Sequence, residues 1–333
     1  MTLTAGRTSD RVGRKRILLI SIILSIIAST GYYLSKSPST LLFFRILEGA
    51  SRGMLWPIVE AIAADNTSFA GRAKVMGRFA AAYGAGATIG TLSCGFIMDF
   101  VSLTAVFLFY PVLGLAALVL SLLGIADVRK TYHHNVSISI FSNGSPALSE
   151  IKKIWPVCYL GFSYAGFLYS IWGLLSRVAE TFGVSSRGIG VIFALFWGFR
   201  LISFCFCGEA TEAIGRKKVL IGGVCSCTLA AGIFLTANTF WLLTIASIAG
   251  GVGTGIMYPL CITFIADYAS PSFHGFDMGF MEFIMGIGMI TQTTLSGIMG
   301  EVGGAQRTYL FTFAVTLVAL AVSIFLIHDV KRN

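Results

Sequence analysis

Four ionisable side chains, Arg45, Glu48, Arg52 and Glu60, stand within one otherwise apolar run of the chain. At 100° per residue they fall on one helical stripe. Glu48 lies three residues after Arg45 and four before Arg52, so on a helix it can pair with each. A charge near a bilayer centre costs about 2.5–3.5 kcal/mol on insertion scales, and pairing or contact with water removes most of that cost. Two readings follow. The stripe is a polar cavity wall that binds substrate or relays protons, or it is a structural ladder of ion pairs. A second constellation consists of Arg200 and Glu282. Each sits some 10–12 Å into its own apolar segment by the rise of a helix, and they are expected to pair. Aromatic side chains at Trp56, Tyr258, Tyr164 and Trp172 could face the same cavity or simply pack.

These residues need a membrane around them. The chain has 333 residues, 56% of them hydrophobic and only 12% charged. Soluble domains carry roughly 25% charged residues, whereas a spanning helix needs about 20 apolar ones. Ten such segments can be read: 17–35, 40–64, 74–97, 103–126, 154–175, 187–207, 219–237, 240–266, 276–299 and 308–327. They lack the alternation of a barrel strand, so the chain is expected to be an all-α polytopic membrane protein. The net charge of +9 sits in short blocks beside apolar segments, which reads as topology and not as nucleic-acid binding. Lys36, Arg177, Arg187 and Arg307 lie in connections on one side. All other connecting Lys and Arg, among them Arg7 to Arg16 and Arg216 to Lys218, lie on the opposite side. The second side is therefore assigned to the cytoplasm, with the loop at residues 1–16 and the C-terminus in it. The cysteines fall inside apolar segments without metal-ligand spacing, so neither metal nor cofactor is expected. No H-E-x-x-H, G-x-S-x-G or nucleotide-binding P-loop occurs, which argues against an enzyme or an ATP-driven pump.

The sequence repeats at an offset of 202 residues. Gly6, Gly13, Arg14 and Lys15 recur as Gly208, Gly215, Arg216 and Lys217; Gly49, Gly53, Pro57 and Asp65 recur as Gly251, Gly255, Pro259 and Asp267; Asp10 becomes Glu212. Both copies run in the same direction, so they are parallel halves. The division expected is a first bundle over 1–126, a cytoplasmic linker over 127–153 and a second bundle over 154–333. About two helices precede Gly208 in the second half and have no counterpart before Gly6. The first half is thus expected to lack the opening pair of a six-helix plan.

The loop "GRTSDRVGRK" (6–15) resembles the signature of the major facilitator superfamily, with Thr8 where Leu is usual, and "GEATEAIGRK" (208–217) resembles its degenerate second copy. "LLFFRILEG" (41–49) is similar to a motif of proton-coupled drug exporters, with Glu48 in place of Gln; a fifth-helix motif is partial, with Thr91 in place of Pro. The resemblance covers the whole chain as family helices 3 to 12. It implies a major facilitator fold, two parallel-related helical bundles that rock around a central cavity. It also implies a latch on the cytoplasmic side from Gly6, Asp10, Gly13, Arg14 and Asp65, repeated by Glu212, Arg216 and Asp267. The function expected is proton-coupled export of a drug or metabolite from the plasma membrane by a monomer embedded in lipid, with a small-molecule substrate and possible exchange of protons. Uptake of a sugar or organic anion, and an inactive truncated remnant, are the alternatives.

Overall fold

The computed structural model describes residues 13–65, 72–125, 146–268 and 274–328. Among them are ten long α-helices: α1 (Arg14–Leu34), α2 (Pro38–Asp65), α3 (Arg72–Phe100), α4 (Leu103–Gly124), α5 (Pro146–Thr181), α6 (Ser186–Ile214), α7 (Arg216–Thr236), α8 (Phe240–Tyr268), α9 (His274–Gly303) and α10 (Leu310–Phe325). Each covers one of the ten expected apolar runs. Nine of them, among the described residues, are long and apolar enough to cross a membrane. The exception is α2, where every 18-residue window holds more than two charged residues.

Helix boundaries follow local chemistry. Ser102 and Ser185 cap α4 and α6, their side chains accepting from Ala105 N and Gly188 N, which satisfies backbone donors that the first turn leaves open. Pro146, at the first position of α5, fits the fixed φ of a helix start, and residues 146–153 of the expected connection 127–153 are helical. Pro111, Pro156 and Pro259 lie inside helices, as membrane helices tolerate when neighbours re-satisfy the freed carbonyls.

The repeat seen in the sequence governs the backbone. Helices α1 and α7 share both ends when the 202-residue offset is applied, and α3 and α9 share their start. Gly13 precedes α1 with φ 103° and ψ 134°; Gly215 precedes α7 with φ 92° and ψ 146°. Side chains with a Cβ rarely adopt such φ values, so the same glycine makes the same turn twice. Ser37 Oγ accepts from Thr40 N at 3.3 Å, and at the repeated position Thr239 Oγ1 accepts from Leu242 N at 3.4 Å.

By internal packing the chain forms two compact units. One comprises 1–80 and 96–138; the other comprises 81–95 and 139–333, so the middle of α3 packs with the second unit across the sequence division expected at 126. In the first unit α1 packs on α2 and α4, around Ile17, Leu18, Ile22 and Ile58. In the second, α5 packs on α9, and α8 packs on both α6 and α7. Lipid removes the hydrophobic drive between spans, so close approach by small residues carries the association. On α8, a Cβ at Gly251 or Gly255 would strike the backbone of α6 at Phe196 or Arg200.

Candidate functional site

The charged stripe of α2 forms the first site. Arg45 Nη1 donates to Glu48 Oε2 at 2.8 Å, and Arg52 Nε donates to Glu48 Oε1 at 3.0 Å. Both pairs have the spacing read from the sequence. A third donor comes from a different helix: Tyr32 OH on α1 donates to Glu48 Oε2 at 2.6 Å. The Glu48 side chain is 15% exposed, while Arg45 and Arg52 are 72% and 57% exposed. The carboxylate is thus the sheltered centre and the guanidinium groups are its wet or lipid-facing rim. Charge-assisted bonds of this kind are short and strong. The cluster carries one net positive charge and a carboxylate with three donors, a composition that can accept a proton or exchange an arginine for a ligand anion.

Beside this hub lies a shallow, open depression of about 440 Å³, lined by Tyr32, Pro38, Leu41, Leu42, Arg45 and Phe107. Its walls are mostly apolar, with a phenol and a guanidinium at one edge. Phe107 of α4 holds the Tyr32 ring at a centroid distance of 5.8 Å, which sets where the hydroxyl points. Tyr32 and Phe107 were not apparent as site residues in the sequence. The repeat carries a signal for them, because an offset of 202 takes this aromatic pair to Phe234 and Tyr309. Glu60 and Trp56 lie on α2, and their side chains are outside the described residues.

The second site lies in the other unit. Arg200 stands midway along α6, because the helix runs on through polar residues to Ile214; the apolar run alone placed it nearer one end. Its Nη2 donates to Tyr164 OH of α5 at 2.6 Å. The guanidinium carbon lies 4.8 Å from the Trp197 ring centroid and 5.6 Å from that of Tyr164, a cation–π arrangement. Tyr164 stacks against Tyr258 at 5.4 Å, and Trp197 meets both Trp172 and Tyr83 at 5.5 Å. Tyr164 thus contacts Arg200 directly, while Tyr258 and Trp172 pack on Tyr164 and Trp197, the two rings that touch it. The expected pair with Glu282 does not form. Glu282 is exposed on α9, and Arg200 binds a phenol instead. Depth along two helices had suggested the pair, but depth says nothing about which faces the helices present.

At the turn preceding α7, Arg216 Nη1 donates to Asp267 Oδ2 at 2.5 Å, with the aspartate side chain 7% exposed. This is the contact read from the sequence. Glu212 is exposed in the last turn of α6. In the first copy Gly6 and Asp10 fall outside the described residues, as does the side chain of Asp65; Arg14 is partly buried at the start of α1.

The sequence profile of the Major Facilitator Superfamily matches residues 1–176 and again 157–333. The chain is 24% identical to Multidrug resistance protein 2 of Bacillus subtilis (strain 168) over 340 aligned residues, covering 99% of this chain and 82% of that protein. It is 26% identical to Quinolone resistance protein NorA of Staphylococcus aureus over 151 residues, covering 45% of this chain and 39% of the relative. Its fold is similar to that of the human organic anion transporter MFSD10 (TETRAN), with a TM-score of 0.65, 17% identity, and coverage of 96% of this chain and 79% of that one.

Proposed function

We propose a function from one premise: the chain belongs to the Major Facilitator Superfamily. It is a multi-span membrane transporter of small molecules and not an enzyme. Within that class, our reading is export of a drug or metabolite across the plasma membrane in exchange for protons, by alternating access, with residues 1–16 and the C-terminus in the cytoplasm. The observation that carries it is Glu48, a sheltered carboxylate on α2 held by Arg45, Arg52 and Tyr32. A proton arriving on Glu48 cancels its charge, weakens all three bonds and frees two guanidinium groups. A ligand in the adjoining depression then meets a different charge. Charge change coupled to release of neighbours is what proton exchange requires.

Relatives named for resistance to drugs and to quinolones support the export direction. Glu60 and Glu282 extend the proposed proton pathway, and Trp56, Trp172, Tyr164 and Tyr258 supply apolar contact for substrate. Arg216 with Asp267, and by repetition Arg14 with Asp65, form the proposed cytoplasmic latch together with Gly6, Asp10, Gly13 and Glu212. The protein acts as a monomer in lipid in this reading.

The test is flux in proteoliposomes. Vesicles loaded with a quinolone, with ethidium or with 2-naphthoate are assayed with and without a pH gradient. An imposed gradient should accelerate efflux of at least one compound by about tenfold. Flux of all three that ignores the gradient would contradict proton exchange.

A further inference from the structure

We propose that Arg200 is the receptor for the anionic group of an organic substrate whose ring system packs on the aromatic residues around it; the proposal rests on the reading of the chain as a transporter.

Arginines elsewhere in the described residues show what a settled guanidinium looks like. Arg45 and Arg52 hold Glu48, Arg216 holds Asp267 and Arg177 faces Glu301. Arg200 has no carboxylate within ion-pair distance among the described residues. It lies within a helix long and apolar enough to cross a membrane, where an uncompensated charge is costly. Among the described residues its one hydrogen bond goes to a neutral phenol, Tyr164 OH, and its buried Nη1 finds no hydrogen-bond acceptor. A buried donor without an acceptor is expensive, and on a cation the natural complement is an anion.

The surroundings narrow the ligand further. Tyr164 OH accepts from Arg200, so the phenolic proton remains available to donate, and no acceptor within the described residues takes it. One guanidinium N–H and one phenolic O–H therefore stand side by side with capacity to spare. Two adjacent donors suit the two oxygens of a carboxylate or sulfonate better than a single point acceptor. Beyond them are rings: Tyr258 against Tyr164, and Trp172 and Tyr83 against Trp197. Tyr83 is 37% exposed, and Tyr258 and Trp172 are partly so, so the two donors stand beside an aromatic wall suited to a planar apolar body. The same charge repels a cationic drug. The class selected is an aromatic or otherwise flat organic anion, not a sugar or an organic cation.

The experiment uses the purified full chain in lipid nanodiscs and three probes with one ring system: 2-naphthoate, neutral 2-naphthamide and cationic 2-naphthylmethylammonium. Affinities are read by equilibrium dialysis. Wild type should bind the carboxylate at least tenfold more tightly than the amide, with the ammonium weakest. Arg200→Gln should bring carboxylate and amide within twofold of each other, and Arg200→Lys should keep most of the preference. Tyr164→Phe should weaken the carboxylate about threefold and leave the amide unchanged. Equal binding of carboxylate and amide by wild type would overturn the proposal, and this comparison needs no variant to fold. A full preference retained in a folded Arg200→Gln would overturn it as well. Charge-selective binding with no gradient-driven flux would count against proton exchange and leave the anion site standing. Gradient-driven flux with no charge selectivity would do the reverse.

Discussion

Where α1 crosses α2, and where α7 crosses α8, the chain solves one geometric problem twice with different chemistry. In the first copy Ser51 Oγ donates to Ser21 O at 2.7 Å and meets Ser25 Oγ at 2.7 Å. At the repeated positions stand Gly253, Gly223 and Cys227, and a Cβ on Gly253 would strike both Gly223 O and Cys227 Sγ. Two serines meet at the first crossing, whereas at the second Gly253 closes on Gly223 O and Cys227 Sγ, and the polar bridge is Ser226 Oγ donating to Ala249 O at 2.7 Å. Farther along, Tyr32 faces Phe107 at 5.8 Å in one copy, and Phe234 faces Tyr309 at 4.7 Å in the other. The ring pair is kept while the hydroxyl changes sides. Arg45, Glu48 and Arg52 correspond to Ser247, Gly250 and Thr254. Of these, Gly250 packs under Phe167, and Thr254 Oγ1 donates back to Gly250 O at 2.8 Å. One backbone plan therefore supports both a charged stripe and a dry, close-packed one. The second copy packs without charges at these positions, so the backbone plan itself does not demand those of α2.

Exchanging residues between the copies tests this contrast. Gly253→Ser places the first copy's side chain at the tighter crossing. Overpacking there should cost about 3 kcal/mol and lower the yield of folded protein several-fold in size-exclusion chromatography. An unchanged yield and melting temperature would show that the second crossing is looser than its geometry states. Tyr32→Phe removes a hydroxyl bonded to a carboxylate and should cost about 1.5 kcal/mol, measured as a lower melting temperature; the same variant should speed gradient-driven flux or release its pH dependence, since Glu48 loses one of three donors. The reciprocal Ser51→Gly should be mildest, about 1 kcal/mol, because α1 and α2 already lie apart by the reach of a serine side chain.

Much of the fold was legible because its determinants are local or periodic. Ten apolar runs became ten helices, and the 202-residue offset reappears in the ends of α1 and α7 and in the turns at Gly13 and Gly215. The pairs within α2 were readable since spacings of three and four residues share one helix face. Contacts between helices were less so. Tyr32 reaches Glu48 only because of how α1 is rotated against α2, which composition does not record. Arg200 was placed about 10–12 Å from the end of its apolar run at Cys207, and α6 continues beyond that run through Glu209 and Glu212 until Gly215 turns the chain. Its partner was misjudged for a related reason. Glu282 matches it in depth, but the sequence could not show that Tyr164 is nearer.

The central claim is that Glu48 carries the proton. A pH dye trapped inside proteoliposomes should report proton movement when a transported compound is added outside. Wild type should show it, and Glu48→Gln should reduce it at least twentyfold while binding the compound within threefold of wild type. Proton movement undiminished in a folded Glu48→Gln would contradict the account.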